Sequence, residues 1–181
     1  MKEPMNSDMT ASRNTAPDIE YLSDAANACG LVAGGNYSGR DLTGADLTGA
    51  RLSKADFSNA NLRGAQLRGV ILDEANLSGA ALDGADLELA VLGGANLQDA
   101  SLRDANLKRA NLVGANAARA DFSGADFYYS RPGNGNFEEA TLVHAKIDRA
   151  IFRRANLRNA DLTDATGQAN FENANLEGMR R

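Results

Sequence analysis

Between Gly35 and Asp164 the chain falls into 26 successive pentads, as in "ADLTG ARLSK ADFSN ANLRG AQLRG", and the third residue is large and apolar in 24 of them. The exceptions are Ala117 and Pro132. The first residue is Ala in 21 pentads and the second is Asp or Asn in 16, while the fifth is often Gly. A period of five suits neither common element. On an α-helix of about 3.6 residues per turn the leucines would drift around the whole cylinder, and on a straight strand an odd spacing sends successive leucines to opposite faces. Every Leu reaches a common core only if the chain changes direction once per pentad, and such a path is a coil wound about one axis.

The remaining positions agree with a coil. A turn in every pentad needs a residue that accepts positive φ, which Gly does without steric cost; Asn59, Asn134, Asn159, Asp99 and Asp104 are the next most tolerant types there. Ala is small enough for an inward position crowded by neighbouring coils, and the Asp or Asn beside it is placed to bond nearby backbone at the bend.

The A-(D/N)-(L/F)-X-X run resembles the pentapeptide-repeat proteins. The resemblance covers about four fifths of the chain and implies an all-β fold, a right-handed quadrilateral β-helix with four pentads per coil. Residues 20 apart would then stack at about the 4.8 Å strand spacing. The family supplies scaffolds of many roles, so the resemblance implies a fold far more sharply than a function.

Three segments are expected: a disordered tail over 1–14, an N-terminal cap with a short helix over 15–34, and the β-helix over 35–179. In the cap, Thr15 and Asp18 resemble a capping box, Pro17 suits a first helical turn, and Ile19, Leu22, Ala26 and Cys29 fall on one side of a helix over 16–29. Such a helix would cover the first coil. No apolar run approaches 18 residues, so no membrane span is expected, and the N-terminus lacks the apolar segment of a secretory signal. With one cysteine and no internal disulfide available, the expected compartment is the cytoplasm.

Little of the sequence suggests catalysis. His144 stands alone at a fifth position that should face solvent, with no second His or Cys beside it to hold a metal. Second-position carboxylates such as Asp41, Asp46, Asp56, Asp121 and Asp126 recur too regularly to be catalytic pairs. No phosphate loop, nucleophile elbow or zinc motif is present. The expectation is a non-enzymatic protein-interaction scaffold without cofactors. One branch of the family, the quinolone-resistance proteins, binds DNA gyrase by imitating duplex DNA, and the resemblance makes a gyrase modulator the alternative. A mimic of duplex DNA should present continuous negative charge. Here residues 35–107 carry six basic and ten acidic residues, whereas 108–181 carry eleven and nine. Direct nucleic-acid binding is not expected, because acids interleave with Arg149, Arg153, Arg154 and Arg158 and the sequence pI is about 4.9.

The repeat is interrupted at "ADFYYSRPGNGNFEEA", residues 125–140. Ala117 and Pro132 are undersized, whereas Phe122, Phe127 and Phe137 are oversized, which predicts local repacking with "SRPGN" bulging outward at a corner. Tyr128 and Tyr129 precede the break, with Lys108 and Arg109 one coil to one side and Arg149 one coil to the other. Exposed aromatics beside Arg are the usual material of binding hot spots. A second candidate patch is apolar: Ile71 and Val91 stack at a position normally Asp or Asn, Ile151 continues that column, and Leu89 is near. Finally, the register slips after Asp164, and a homodimer is expected through the last coil by way of Phe171, Leu176 and Met179.

Overall fold

The computed structural model describes residues 30–181. The expected tail over 1–14 and the helix over 16–29 lie outside the described residues. From Asn36 to Lys146 the second-position residues, Arg131 excepted, form parallel bridges with the residue 20 further on, in the series Asn36 to Asp56, Asp41 to Asn61, Asp46 to Gln66 and Arg51 to Ile71. With a turn every five residues and stacking every 20, the coil has four sides. We number the faces by their lowest bridge residue: first (Asn36), second (Asp41), third (Asp46) and fourth (Arg51).

Each corner is a tight turn closed by the first-position N–H donating to the third-position carbonyl three residues back, as in Ala45 to Leu42 at 3.0 Å. The fifth-position residue has positive φ throughout, the requirement of a type II turn at its third residue. Gly meets it freely, yet Lys54, Glu74, Leu89, Arg109 and Tyr129 adopt it too. For an L-residue that conformation costs about 1–2 kcal/mol, so corner side chains other than Gly are held there by the coils on either side.

The interior is a column of first-position alanines and third-position leucines, fully buried from Leu47 to Leu162. The second-position Asp and Asn do what their type predicts. Their Oδ1 accepts the N–H two residues on, as in Thr43 to Asp41 at 3.1 Å and Ser58 to Asp56 at 2.9 Å. On the first face they also bond one another, since Asn76 Nδ2 donates to Asp56 and the pattern climbs through Asn96, Asn116, Asn136, Asn156 and Asn175. At Asp41 and Asp56 these hydrogen bonds pull the carboxylate below its ordinary value, in Asp41 mainly through the Thr43 hydroxyl and in Asp56 mainly through the Ser58 N–H.

The break keeps the coil's course instead of bulging. Pro132 points inward and is buried, Gly135 N–H closes the turn on the Pro132 carbonyl at 3.2 Å, and Asn134 takes the left-handed corner with φ 55°. The reason is that proline's fixed φ suits an extended position, while its ring fills part of the leucine space. The cost falls on the ladder. Arg131 bridges Asn111 below but not Ile151 above, because Pro132 has no N–H to offer the Ile151 carbonyl. The expected repacking is present: the Phe122 ring lies 5.2 Å from Phe127 and 5.8 Å from Phe137, and Phe152 lies 5.5 Å from Phe137. Gly135 belongs to the same adjustment, since a Cβ there would stand 2.8 Å from Phe137 Cε2.

The slip lies at one corner. Lys146 still bridges Thr166 at 20 residues, but Ile151 bridges Asn170 and Asn156 bridges Asn175 at 19. Gly167, with φ 92°, occupies the shortened corner, where a Cβ would come within 2.6 Å of the Asp148 backbone.

Candidate functional site

Three of the exposed large side chains, Leu89, Tyr128 and Tyr129, gather at one corner, between the third and fourth faces. The fifth-position N–H donates to the carbonyl one coil up: Leu89 to Lys108 at 3.0 Å, Arg109 to Tyr128 at 2.9 Å, Tyr129 to Asp148 at 3.2 Å and Arg149 to Gln168 at 2.7 Å. Leu89, Arg109, Tyr129 and Arg149 therefore form one continuous edge. Below them the corner is occupied by Gly49 and Gly69.

The two patches expected from sequence are thus joined. Leu89 is 44% exposed and shares its edge with Tyr129, which is 40% exposed. Tyr128, 37% exposed, packs edge-on against Tyr129 with ring centroids 4.7 Å apart. Arg149 lies over the Tyr129 ring with its Cζ 5.0 Å from the centroid and also donates a hydrogen bond to Tyr129 Oη. That bond raises the Arg149 pKa above its ordinary value. Lys108 pairs with Asp126 at 3.4 Å. Ile71 and Val91 bridge each other on the fourth face and are half-buried. Ile151 stays apart from them, because Asn111 and Arg131 intervene in its column.

A notch of about 270 Å³ opens on the fourth face beside the break, lined by Val113, Arg131, Gly133, Asn134, Ile151, Arg153 and Arg154. The candidate residues drawn from sequence omit Arg131 and Val113 from any such group. The signal was available, since aligning the chain at 20 residues places Val113 directly beneath Gly133 and Arg153, and Arg131 directly beneath Ile151.

The other candidates have plainer surroundings. His144 is a corner residue with φ 59°, and its Nδ1 lies 3.9 Å from Asp164. Among the described residues no group of three His, Cys, Asp or Glu could hold a metal ion, and no helix is long and apolar enough to cross a membrane. In the last coil Phe171 stacks on Phe152 at 5.4 Å, Met179 is partly buried and Leu176 is 39% exposed. Arg181 reaches across this coil, its Cζ 5.9 Å from the Phe171 centroid and its Nη2 donating to the Gly167 carbonyl at 3.2 Å. Arg180 pairs with Asp161 at 2.7 Å.

The pentapeptide repeats family model matches eight copies, over residues 41–73, 71–109, 100–131 and 136–166. The chain belongs to the pentapeptide repeat family. The matches stop at Arg131 and resume at Asn136, which leaves out Pro132 to Gly135, the core of the break. Among solved structures, HetL, a pentapeptide repeat protein involved in heterocyst differentiation regulation from the cyanobacterium Nostoc sp. strain PCC 7120, is 27% identical. That match covers 85% of this chain and 91% of HetL, with a TM-score of 0.57. QnrB1, a plasmid-mediated fluoroquinolone resistance protein, is 20% identical over 80% of this chain and 88% of its own, with a TM-score of 0.51, and shares the fold. No curated protein sequence gives a significant match. The pentapeptide repeat accounts for the spacing of the candidate residues, while their chemistry belongs to this chain.

Proposed function

We propose that this protein is a non-enzymatic interaction scaffold of the cytoplasm, a right-handed coil that presents a protein partner with the edge formed by Leu89, Arg109, Tyr129 and Arg149. The observation that carries this reading is the composition of that edge. Four consecutive coils place a large apolar, aromatic or guanidinium side chain at a left-handed position where Gly costs least. Tyr and Arg are enriched in binding hot spots, since each combines a large area for contact with a polar end. Tyr128 widens the edge on the third face, and Val91 and Ile71 extend it with apolar area on the fourth. HetL, which is involved in the regulation of differentiation, shows that this fold serves regulatory roles elsewhere in the family.

A mimic of duplex DNA directed at gyrase is less well supported, because Arg109, Arg119, Arg131, Arg149, Arg153 and Arg154 interrupt the negative field over the later coils. A stoichiometric excess that leaves gyrase supercoiling unchanged excludes it. We also propose self-association through Phe171, Leu176 and Met179 in the last coil.

The test of the scaffold reading compares tagged wild-type protein with a Tyr128→Ala/Tyr129→Ala variant in cross-linking capture. Loss of a partner recovered by the wild type, with the melting temperature within a few degrees, is the expected result. Equal recovery by the variant would remove the edge from the mechanism.

A further inference from the structure

The notch beside the break combines three features in one concavity. Its arginines are under-used: Arg131 and Arg154 have no acidic partner among the described residues, and Arg153 alone of the three is paired, with Glu172 at 3.5 Å. Most arginines elsewhere on the coil are matched, as Arg63 with Asp83, Arg68 with Glu88, Arg119 with Asp99 and Arg158 with Glu138. Its lining is also apolar, through Val113 and through Ile151, which is 41% exposed. Lastly, the Ile151 carbonyl lacks the ladder donor that Pro132 cannot supply, and it lies 3.4 Å from the point where a Cβ on Gly133 would stand.

We propose that this notch binds an acidic peptide segment of a partner protein. A glutamate or aspartate carboxylate would take the guanidinium groups of Arg131 and Arg154, and a neighbouring aliphatic side chain would lie on Val113 and Ile151. The proposal rests on the scaffold reading and adds the chemistry of the partner to it. Two guanidinium groups lining one notch without an acidic partner favour a planar anion, which they bind through charge-assisted, geometrically matched hydrogen bonds. A free phosphate would satisfy the arginines, but it has neither the apolar surface for Val113 and Ile151 nor the N–H that an orphaned carbonyl calls for. A peptide brings all three. The volume of about 270 Å³ suits one side chain with its flanking amide, and duplex nucleic acid is disfavoured by a net charge of −5.

The test is an NMR titration of the full chain, observing arginine Nε–H and the Ile and Val methyl groups. The probe is the capped peptide acetyl-Ile-Glu-Leu-amide. Its controls are the same peptide with Gln for Glu, inorganic phosphate, and a single-stranded oligothymidine. Saturable shifts at Arg131, Arg154, Val113 and Ile151 are expected. Binding should weaken about tenfold or more for the Gln peptide and for an Arg131→Gln/Arg154→Gln protein, the loss that a charge-assisted bond implies. The double variant keeps the Arg131 N–H bond to the Ala110 carbonyl at 2.9 Å, and an unchanged circular dichroism melt checks that it is folded. The proposal is overturned by shifts that do not saturate, by equal affinity for the Gln peptide or for phosphate, or by tighter binding of the oligonucleotide. Peptide binding that survives Tyr128→Ala/Tyr129→Ala separates this site from the edge: if partner capture is also unchanged in that variant, the edge reading fails while the notch stands. If capture depends on the tyrosines but no peptide binds, the notch fails alone.

Discussion

Ser130 occupies a first position that is elsewhere nearly always Ala, and it is fully buried, with its Oγ bonded to nothing among the described residues. Its backbone is satisfied, since its N–H donates to the Phe127 carbonyl at 2.9 Å and its carbonyl accepts from Ile151 at 3.0 Å. The hydroxyl alone is stranded. An unsatisfied buried polar group costs about 1–3 kcal/mol, whereas the space left by removing one oxygen costs only a few tenths of a kcal/mol at about 24 cal/mol per Å³. Ser130→Ala should therefore stabilise the protein by about 1–2.5 kcal/mol. For a chain of this size that raises the melting temperature by about 2–10 °C. Thermal melting followed by circular dichroism measures it, with chemical denaturation as the cross-check, because solenoids need not unfold in one step. The reverse change one coil below, Ala110→Ser, should lower stability by a similar amount. A Ser130→Ala protein that melts at or below the wild-type temperature would refute the reasoning, because it would mean that the hydroxyl has a partner.

Leu102→Asp, which places a charge among fully buried leucines, should cost several kcal/mol and abolish cooperative melting. Arg51→Asp at an exposed second position should shift the melting temperature by no more than about 2 °C, so equal losses from the two would contradict the inward register. Acid should destabilise the coil. Asp41, Asp46, Asp56 and Asp161 are held below 3.8 in the fold by hydrogen bonds, so their contribution is complete above that value and is lost as the pH falls below it. A melting temperature that is flat from neutral pH and drops below about pH 4 is expected, with Asp56→Asn, which keeps an Oδ1 acceptor for Ser58 and Asn76, removing part of the drop; a rise on acidification would oppose this. Light scattering on a sizing column should show a dimer that Leu176→Asp dissociates, and a monomer mass persisting at high protein concentration would exclude self-association through the last coil.

The repeat chemistry was legible without coordinates because each pentad contains its own instructions. Five residues hold the inward Ala and Leu, the Asp or Asn that bonds the bend, and the Gly or Asn that turns it, so the coil, its core and its slip after Asp164 follow from local pattern. The compensation of Ala117 and Pro132 by Phe122, Phe127 and Phe137 was legible for the same reason, as a matter of volume. The course of the break was not. Proline looks like an interruption when judged alone, but the neighbouring coils hold Pro132 inward and leave the ladder short of a single donor. The candidate sites also depend on which pentads become neighbours. Leu89 and Tyr129 are 40 residues apart and share an edge, while Arg131, Val113 and Ile151 meet in a notch. These adjacencies arise from four turns closing each coil, and coil closure is set by packing across the axis between residues that no single pentad contains.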